Sequence, residues 1–567
     1  MKKRKRFLAG FLAAAVVPAL FFTASCKKKP PDEPPYKEPD APAGVSYTWI
    51  DDRAPIVQFD KPAESIVFLK CVERTMSDDI RQLISSLKAI VNRKEVRLFT
   101  ADLNSSLPGW LDRLGYNSSG RVTEYSDPWE VIELFRGEFG GAVIYDTANL
   151  YTVDLACTFA GINNCLTASY SVYGELLSRG YDVKIIEDYR GRFADKYEVY
   201  NYLYGNLWGQ CTHRIMISMH VDYVSFIRSF GMIIRSAFVY LNVKIKEDHE
   251  LMTKFLKEMP SGEACIYGWY ASEGAGVRIG SEHGVWTYAA DYLENIEFFA
   301  HAAEIALPDY TETFTKREDV DDNTVYVALA ASEGDNLTFD LKDMYSEFFA
   351  KSKFGTFPMT LSLSPTSAAV MPDVLNYFYA RTNDNIGFMT GPSGIGYTYT
   401  NSWEENEMQG LRQYLKTTNK YCKIAGIGVV NNWTASGSWD SHDISDNIRS
   451  LMEENLTDIL LVADQGARRT TARNGLLIAG MQIGYTQTFQ NMNNLFKAEI
   501  VNGVAETEHY GEPSFIMLQG NPWTRKMVDD LSSLVTEIEA QYDNVKFVRM
   551  DELARAYRLY SGLSAAR

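Results

Sequence analysis

Histidine and cysteine are both scarce in this chain, with seven of each among 567 residues. Only His442 and His509 lie beyond residue 318, and no HxH or HxxxH pair occurs there. No two cysteines have the CxxC spacing of a zinc ribbon. The sequence therefore gives no reason to expect a metal site built from these residues, and we predict neither a metal nor a cofactor.

Two signatures of other enzyme classes are also missing. The chain has no Gly-x-Ser-x-Gly segment and no P-loop. The segment Gly391-Pro392-Ser393-Gly394 contains a serine, but the sequence offers it no obvious histidine partner. A serine hydrolase is therefore disfavoured.

Positive charge is in short supply. The chain has 56 Lys and Arg against 73 Asp and Glu, a formal net charge of −17. A protein that binds nucleic acid needs a basic surface to neutralise phosphates, so we expect no nucleic acid partner. The acidic balance suits a protein that works outside the cytoplasm.

The apolar run from Phe7 to Phe22 is too short and wrongly flanked for a stable membrane span. It follows a basic segment and precedes Thr23-Ala24-Ser25-Cys26, an order that resembles a bacterial lipoprotein signal. We therefore predict a signal peptide over residues 1–25 and a membrane anchor through lipidated Cys26, in the cell envelope at the outer membrane or cell surface. Ordinary signal-peptidase cleavage near the same point is the alternative. Residues 26–45 are rich in proline and charge, as expected for a tether.

Strands and helices alternate along the remaining chain, which indicates an α/β fold. We predict two smaller α/β domains, over residues 46–150 and 151–318. Seven or eight βα units then follow over residues 319–567, a pattern typical of a (β/α) barrel. An open doubly wound sheet is the alternative. The predicted elements include a helix over 78–91 and a strand over 423–430.

Carboxylates follow the first predicted strand of this C-terminal domain. Glu333 and Asp335 come directly after the apolar residues 325–331, and residues i and i+2 of a strand face the same way. Two neighbouring carboxyls push their pKa values apart, which suits the acid and the base or nucleophile of glycoside hydrolysis. Asn336 adds a donor and an acceptor for sugar hydroxyls. Capping of the following helix is the alternative role for these residues.

Two further carboxylates are candidates for the same site. Asp464 ends another predicted C-terminal strand and is the next candidate for a catalytic residue. Glu273 follows Trp269 in the middle of the chain, and both are predicted to bind substrate because ligand sites are common between domains. The alternative for Glu273 is an acid on a solvent-exposed loop.

Amides and aromatic rings also follow several predicted C-terminal strands. Amides can bond sugar hydroxyls, and flat rings can stack on sugar C–H faces. We therefore predict that the substrate is bound by Asn336, Tyr397, Tyr399, Trp403, Asn432, Trp433 and Gln519. The strands of a parallel barrel all end on one face, so these side chains and the carboxylates are expected around one cavity. Packing inside the protein is the alternative for the rings.

The segment Gly394-Ile395-Gly396-Tyr397-Thr398-Tyr399 resembles the signature of the GxGYxYP family of glycoside hydrolases, with Thr400 in place of its proline. Glu333-Gly334-Asp335-Asn336 is similar to a strand-end motif of that family that reads Asp-Gly-Asp-Asn. Other positions similar to the family are Ala160, Gly161, Asp188, Tyr189, Arg190, Gly191, Gly268, Trp269, Glu273, Ser281, Asp291 and Asn295. The resemblance covers most of the mature chain and implies the fold of that family and a role in glycan processing.

We therefore predict a glycoside hydrolase that uses a carboxylate pair at the barrel mouth on an oligo- or polysaccharide. A non-catalytic carbohydrate-binding lipoprotein is the competing class. A polysaccharide deacetylase-like enzyme is a third reading, disfavoured by the scarcity of histidine. Two carboxyls roughly 5–10 Å apart across a cleft would favour the enzyme over the binding protein.

Overall fold

The computed structural model describes residues 38–71, 76–102, 105–333, 336–435, 443–465, 470–484, 491–524 and 526–567, apart from the side chains of Asp102 and Thr524. The predicted signal peptide, Cys26 and most of the tether lie outside the described residues, as do Gly334 and Asp335. Residues 38–567 form one unit. The domain boundaries after residues 150 and 318 stay predictions.

The described residues contain strands β1 to β21. Their bounds are β1 Tyr47–Trp49, β2 Val57–Phe59, β3 Ile66–Cys71, β4 Leu98–Asp102, β5 Val122–Tyr125, β6 Gly141–Ile144, β7 Leu166–Ala168, β8 Lys184–Asp188, β9 Thr212–Ser218, β10 Ser236–Phe238, β11 Ala264–Gly268, β12 Val285–Ala289, β13 Val325–Ala331, β14 Met359–Ser362, β15 Ile386–Met389, β16 Val429–Asn432, β17 Leu461–Asp464, β18 Thr471–Arg473, β19 Leu476–Gly480, β20 Ser514–Gly520 and β21 Val545–Val548.

The same residues contain α-helices α1 to α18. Their bounds are α1 Asp78–Lys94, α2 Pro108–Arg113, α3 Pro128–Leu134, α4 Tyr151–Asn163, α5 Tyr170–Ser178, α6 Lys196–Asn206, α7 Arg228–Ile233, α8 Lys246–Leu256, α9 Glu273–Glu282, α10 Ile296–Phe299, α11 Leu337–Lys342, α12 Ser367–Val370, α13 Pro372–Tyr379, α14 Met408–Ala425, α15 Asp446–Asn455, α16 Met492–Tyr510, α17 Met527–Glu539 and α18 Met550–Tyr560. None of the helices described here is both long enough and apolar enough to cross a membrane.

Local sequence explains where these elements begin. The predicted helix over 78–91 is confirmed as α1, which runs three residues further. Ser77 accepts a hydrogen bond from the backbone N–H of Ile80 at 3.4 Å. Asp78 and Asp79 lie in the first turn, where negative charge complements the helix dipole. The buried face then carries Leu83 and other apolar residues at helical spacing.

Three parallel sheets precede the C-terminal half. Their strand orders are β4-β3-β5, β7-β6-β8 and β10-β9-β11-β12, and a short antiparallel pair, β1 and β2, lies outside them. We refer to the β10-β9-β11-β12 sheet as the middle sheet. Its strands β9, β11 and β12 are buried along their whole length, as expected for parallel strands covered on both faces.

The C-terminal half confirms the α/β class, but its described residues do not form a clear closed barrel. The strands form two sheets, β15-β14-β13-β20 with β21 also beside β13, and β16-β17-β19-β18. All pair in parallel except β18. The sheet edges meet through backbone hydrogen bonds from Thr390 to Val429 and from Gln519 to Ile483, both 3.0 Å. These contacts involve too few residues to make one continuous hydrogen-bonded ladder.

Helix α18 packs at the amino-terminal ends of these strands. The Arg558 guanidinium donates to the carbonyl oxygens of Leu460 at 3.1 Å and Gly475 at 2.6 Å, just before β17 and β19 begin. Met550 and Leu553 of α18 pack with the inner strand residues, such as Ala328 and Ala463. The opposite, carboxyl-terminal ends therefore remain for a functional site.

One element differs from its prediction. The sequence predicted a strand over 423–430, whereas α14 continues to Ala425 and β16 begins only at Val429. Tyr421, Cys422 and Ala425 are buried on the same helix and extend its apolar face. Gly426 then ends the helix with a φ of 67°, a conformation that glycine adopts without strain.

Most of the described cysteines are buried. All six cysteines in the part of the chain that the structure describes are free thiols, and five of them are buried. Cys157 and Cys165, eight residues apart in the sequence, are both free in the structure.

Candidate active site

The carboxyl-terminal ends of strands from three sheets, the middle sheet and the two C-terminal sheets, meet at one place. Ala289 at the end of β12 forms a parallel bridge with Asn336, which follows β13. The Asn431 side-chain amide donates to Ser332 Oγ at 3.3 Å, which joins the ends of β16 and β13. We call this region, at the ends of β11, β12, β13, β16, β17 and β20, the strand-end site.

The signature segment, residues 394–399, connects the loop after β15 to strand β12 of the middle sheet. The backbone N–H of Tyr397 donates to the carbonyl of Thr287 at 2.8 Å, and Thr287 N–H donates back at 3.0 Å. Gly396 is required here, because a Cβ would lie 2.3 Å from Cδ1 of the buried Trp286. Gly394 has a φ of 143°, and a Cβ there would lie 2.6 Å from Thr418 Oγ1. Both glycines therefore serve close backbone approach.

Tyr397 holds Glu273 in the strand-end site. Its hydroxyl donates to Glu273 Oε1 at 3.1 Å, and the Tyr399 hydroxyl, also 3.1 Å away, can donate to Tyr397 in turn. Glu273 is the first residue of α9, directly after β11. The Glu273 residue is exposed to solvent, but its carboxyl is partly enclosed, and this burial raises the pKa of the carboxyl. The hydrogen bond from Tyr397 lowers the pKa by a smaller amount. A carboxyl with a raised pKa suits a general acid.

The aromatic residues of the site differ in how open they are. The Trp269 ring, half-buried, lies stacked at 6.1 Å from Tyr397, and the buried Trp433 ring meets Tyr397 edge-on at 5.6 Å. Tyr399 and Trp403 are only 1% and 4% exposed. Tyr399 N–H donates to Ser281 Oγ at 2.9 Å, and Trp403 Nε1 donates to Thr398 Oγ1 at 2.9 Å. The last two rings thus pack within the signature segment.

Glu333 lies directly beyond β13, where the sequence predicted it. Its backbone N–H donates to Ser362 Oγ at 2.7 Å, and its Oε1 accepts a hydrogen bond from Trp523 Nε1 at 2.7 Å. Asn336 caps α11 instead, because its Oδ1 accepts from the backbone N–H of Phe339 at 3.0 Å. The capping alternative therefore holds for Asn336. Asp335 lies outside the described residues.

Asp464 and Asn432 form a buried pair beside this group. Asn432 Nδ2 donates to Asp464 Oδ1 at 2.5 Å, and both side chains are fully buried. Since side chains alternate along a strand, Asp464 shares the outer face of Val462, whereas Gln465 shares the inner face of Ala463. Asp464 therefore supports the end of β17 from the outer face of the strand.

Several buried side-chain amides have one polar atom that makes no hydrogen bond within the described ranges. These atoms are Asn431 Oδ1, Asn432 Oδ1, Gln519 Nε2 and Asn521 Nδ2, all on fully buried residues. Gln519 Oε1 is held by the side-chain amide of Gln465. Buried polar groups almost always find a hydrogen-bond partner, so these amides favour a site for water or a hydroxyl-bearing ligand.

Two further residues belong to the site. Asn521 and Trp523 follow Gln519 on the loop after β20, and Asn521 Oδ1 accepts from the backbone N–H of Trp523 at 2.9 Å. Both follow the sequence pattern of polar residues and Trp after an apolar strand. Within the described ranges, no group of three or more His, Cys, Asp and Glu side chains could hold a metal ion.

Three family models match consecutive parts of the chain. Residues 139–211 match the GxGYxYP_N second domain, and residues 213–301 match the GxGYxYP third domain. Residues 323–558 match the model described as the GxGYxYP putative glycoside hydrolase C-terminal domain. Among curated proteins, none matches this chain.

Solved structures with similar folds include a crystal structure described as a putative hydrolase from Bacteroides thetaiotaomicron VPI-5482. It is 18% identical, with a TM-score of 0.73 over 89% of this chain and 96% of that one. A Puue allantoinase is 14% identical, with a TM-score of 0.29 over 42% of this chain and 91% of that one. A putative polysaccharide deacetylase from Mycobacterium smegmatis is 11% identical, with a TM-score of 0.28 over 47% and 98%. The likeness to the first structure concerns the fold alone, and the TM-scores of the other two are too low to support any inference.

The matched ranges decide the family. All three models belong to one family and together they extend from residue 139 to residue 558. The signature segment 394–399 lies inside the C-terminal match, and its two glycines fill the structural roles described above. The resemblance found in the sequence is thus confirmed, and the chain belongs to the GxGYxYP family.

Proposed function

We propose that this protein is a glycoside hydrolase whose active site is the strand-end site. The observation that carries the proposal is the contact between Glu273 and Tyr397, since it holds a carboxyl of raised pKa against the middle sheet. Strand β12 of that sheet also bridges to Asn336, three residues after Glu333. The match of residues 323–558 to the GxGYxYP putative glycoside hydrolase C-terminal domain supports a hydrolase-like function. In this proposal the two C-terminal sheets act as one distorted (β/α) barrel.

The carboxyls are given separate roles. Protonated Glu273 is the general acid, which gives its proton to the glycosidic oxygen as the bond to the anomeric carbon breaks. Glu333 is ionised and either attacks the anomeric carbon or takes a proton from the water that attacks it. Asp335, two residues along, is the alternative for the second role. Asp464 positions Asn432 in this scheme, rather than touching the substrate.

Sugar recognition is assigned to the open rings and the buried amides. Trp269 and Trp523 present ring surface to solvent, on which a sugar C–H face can stack. Asn431, Gln519 and Asn521 offer both donors and acceptors to hydroxyl groups. A neutral, hydroxyl-rich ligand fits this combination best.

Kinetics of charge-removing variants tests the assignment. Soluble mature forms of the wild type and of four single variants are assayed by sugar release from a panel of neutral glycans. The variants are Glu273→Gln, Glu333→Gln, Asp335→Asn and the exposed control Glu508→Gln. Glu273→Gln should lower kcat by roughly 10²–10⁴, with little change in affinity. Whichever of Glu333 and Asp335 is the second group should show a similar loss.

The outcomes separate the candidate functions. Wild-type turnover in Glu273→Gln would remove Glu273 from the mechanism. Binding of a glycan by the wild type without any turnover would favour the carbohydrate-binding lipoprotein instead. Proton NMR of the first-formed product distinguishes retention from inversion of the anomeric configuration.

We also propose that the protein is held at a membrane of the cell envelope through lipidated Cys26. The basic segment, the apolar run and the small residues before Cys26 support this, and residues 26–45 supply a tether. Cells grown with labelled palmitate should label the wild type and not Cys26→Ser. Equal labelling of both proteins, or of neither, would contradict the anchor.

A further inference from the structure

Aromatic side chains gather at the carboxyl ends of the middle sheet. The loop after β9 carries His220, Tyr223 and Phe226, while β10 leads to Tyr240 and β12 leads to Tyr292. We call these five residues the aromatic shelf. They come from three separate strand ends and lie on the same edge of the sheet as the strand-end site.

The rings of the shelf are in continuous contact. Tyr292 lies 5.0 Å from Tyr223 and 5.2 Å from Phe226, measured between ring centroids. His220 lies 5.6 Å from Tyr223 and 5.1 Å from Tyr240. The hydroxyls of Tyr223 and Tyr292 are hydrogen-bonded to each other. The five side chains therefore form one surface.

This surface is open, unlike the aromatic core below it. Tyr292 is 42% exposed and the other four shelf residues are half-buried. Tyr267 and Tyr288, within strands of the same sheet, are fully buried. A contiguous cluster of partly exposed rings favours a binding surface.

The shelf adjoins the strand-end site. The bridge between Ala289 and Asn336 lies three residues before Tyr292. Lys342, at the end of α11, places its Nζ over the Phe226 ring at 5.3 Å from the centroid. Trp269 follows β11, between the strands that lead to the shelf, and stacks on Tyr397. A ligand in the strand-end site could therefore continue onto the shelf.

We propose that the aromatic shelf binds further sugar units of a neutral glycan chain whose scissile bond lies in the strand-end site. The proposal rests on the proposed glycoside hydrolase function and adds that the substrate is an oligo- or polysaccharide. Flat phenol rings offer stacking surface and hydroxyls together, which suits pyranose units. Asp291 precedes Tyr292 in the sequence, and the Lys342 ammonium at the shelf is paired with Glu294 at 3.9 Å, so the shelf suits a neutral glycan better than a polyanionic one.

The test compares a long substrate with a short one. The probes are the hexasaccharides of cellulose, xylan, mannan and amylose, and the aryl monoglycosides of the same sugars. Tyr292→Ala should lower kcat/KM about tenfold for the hexasaccharide that the wild type cleaves, and leave the monoglycoside unchanged. Tyr292→Phe should keep most of the wild-type value, because the ring remains. Tyr510→Ala is the matched control, since Tyr510 is 70% exposed at the end of α16, before the amino-terminal end of β20.

Failure of the shelf and failure of the enzyme give different results. An equal loss on both substrates, or no loss on the hexasaccharide, would overturn the shelf while leaving the hydrolase standing. If the wild type cleaves nothing, calorimetric binding of the same hexasaccharides replaces turnover. Weaker binding by Tyr292→Ala would then support the shelf although the hydrolase fails. No binding of any hexasaccharide by the wild type would overturn the shelf.

Discussion

The hydroxyl of Tyr397 donates a hydrogen bond to Oε1 of Glu273 at 3.1 Å, and this contact joins the loop after β15 to the first residue of α9. The Tyr397 backbone is itself paired with Thr287 in β12, so its ring cannot move independently of the middle sheet. Glu273 begins α9 on that same side. The second signature tyrosine, Tyr399, backs the contact through its own hydroxyl. The family signature therefore positions a carboxyl as well as joining two parts of the fold.

Tyr397→Phe should shift the pH dependence of activity in a defined direction. The hydrogen bond from Tyr397 stabilises the ionised form of Glu273 and lowers its pKa, so its loss should raise that pKa further. An acid catalyst stays protonated up to its pKa, and activity declines as the pH rises through it. The alkaline limb of kcat/KM should therefore move to higher pH in Tyr397→Phe. A shift to lower pH, or none, would contradict the role of Glu273.

Gly396→Ala should destabilise the fold. The new Cβ would lie 2.3 Å from Cδ1 of the buried Trp286, where overpacking costs about 1–3 kcal/mol in the free energy of unfolding. Gly174→Ala in α5 is the control, because its Cβ meets nothing within 4 Å. That control should gain up to about 1 kcal/mol from higher helix propensity. Urea unfolding of the two variants measures both values, and equal stabilities would show that Gly396 is not closely packed.

Asp464→Ala should lower the free energy of unfolding and make the end of β17 less ordered. The change removes the acceptor of the Asn432 amide inside a fully buried pair, and an unsatisfied buried donor costs about 1–3 kcal/mol. Glu508→Ala removes a carboxylate from an exposed helix position and should stay within about 0.5 kcal/mol of the wild type. Thermal unfolding measures the difference. If Asp464→Ala is as stable as the wild type but inactive, Asp464 belongs to the chemistry instead.

The thiols should be slow to react in the native state. Five of the six described cysteines are buried, and burial raises the pKa of the Cys165 thiol to about 12. With Cys26→Ser protein, Ellman's reagent should modify at most Cys71 quickly, and all six remaining cysteines only after addition of urea. Fewer than six reactive thiols in urea without reductant would indicate a disulfide.

Local sequence patterns predicted the elements well because they depend on nearby residues. The spacing of Leu83 and Leu87 is enough to place α1, and an apolar run is enough to place β13. The error over 423–430 arose where one apolar stretch serves the end of a helix and the start of a strand. The separation of the C-terminal strands into two sheets depends on edge contacts, which a single sequence does not encode locally.

The site was harder to predict, because its geometry depends on distant partners. Glu333 and Gln519 could be identified from strand ends alone. The packing of Tyr399 could not, since its partner Ser281 lies 118 residues away. Trp403 likewise reads as a candidate sugar platform until its burial is known. The raised pKa of Glu273 depends on the burial of its carboxyl and on Tyr397, 124 residues away, so no motif around residue 273 predicts it.

The role of Glu273 as general acid is tested most directly by the effect of the leaving group. Wild type and Glu273→Gln are compared on two aryl glycosides of the cleaved sugar, one with a dinitrophenol leaving group and one with an unactivated phenol. Dinitrophenolate leaves without protonation, so we expect near wild-type kcat/KM for it in the variant. We expect a loss of roughly 10²–10⁴ for the unactivated phenol, which needs the acid. Equal losses on both glycosides, or no loss on either, would contradict the account.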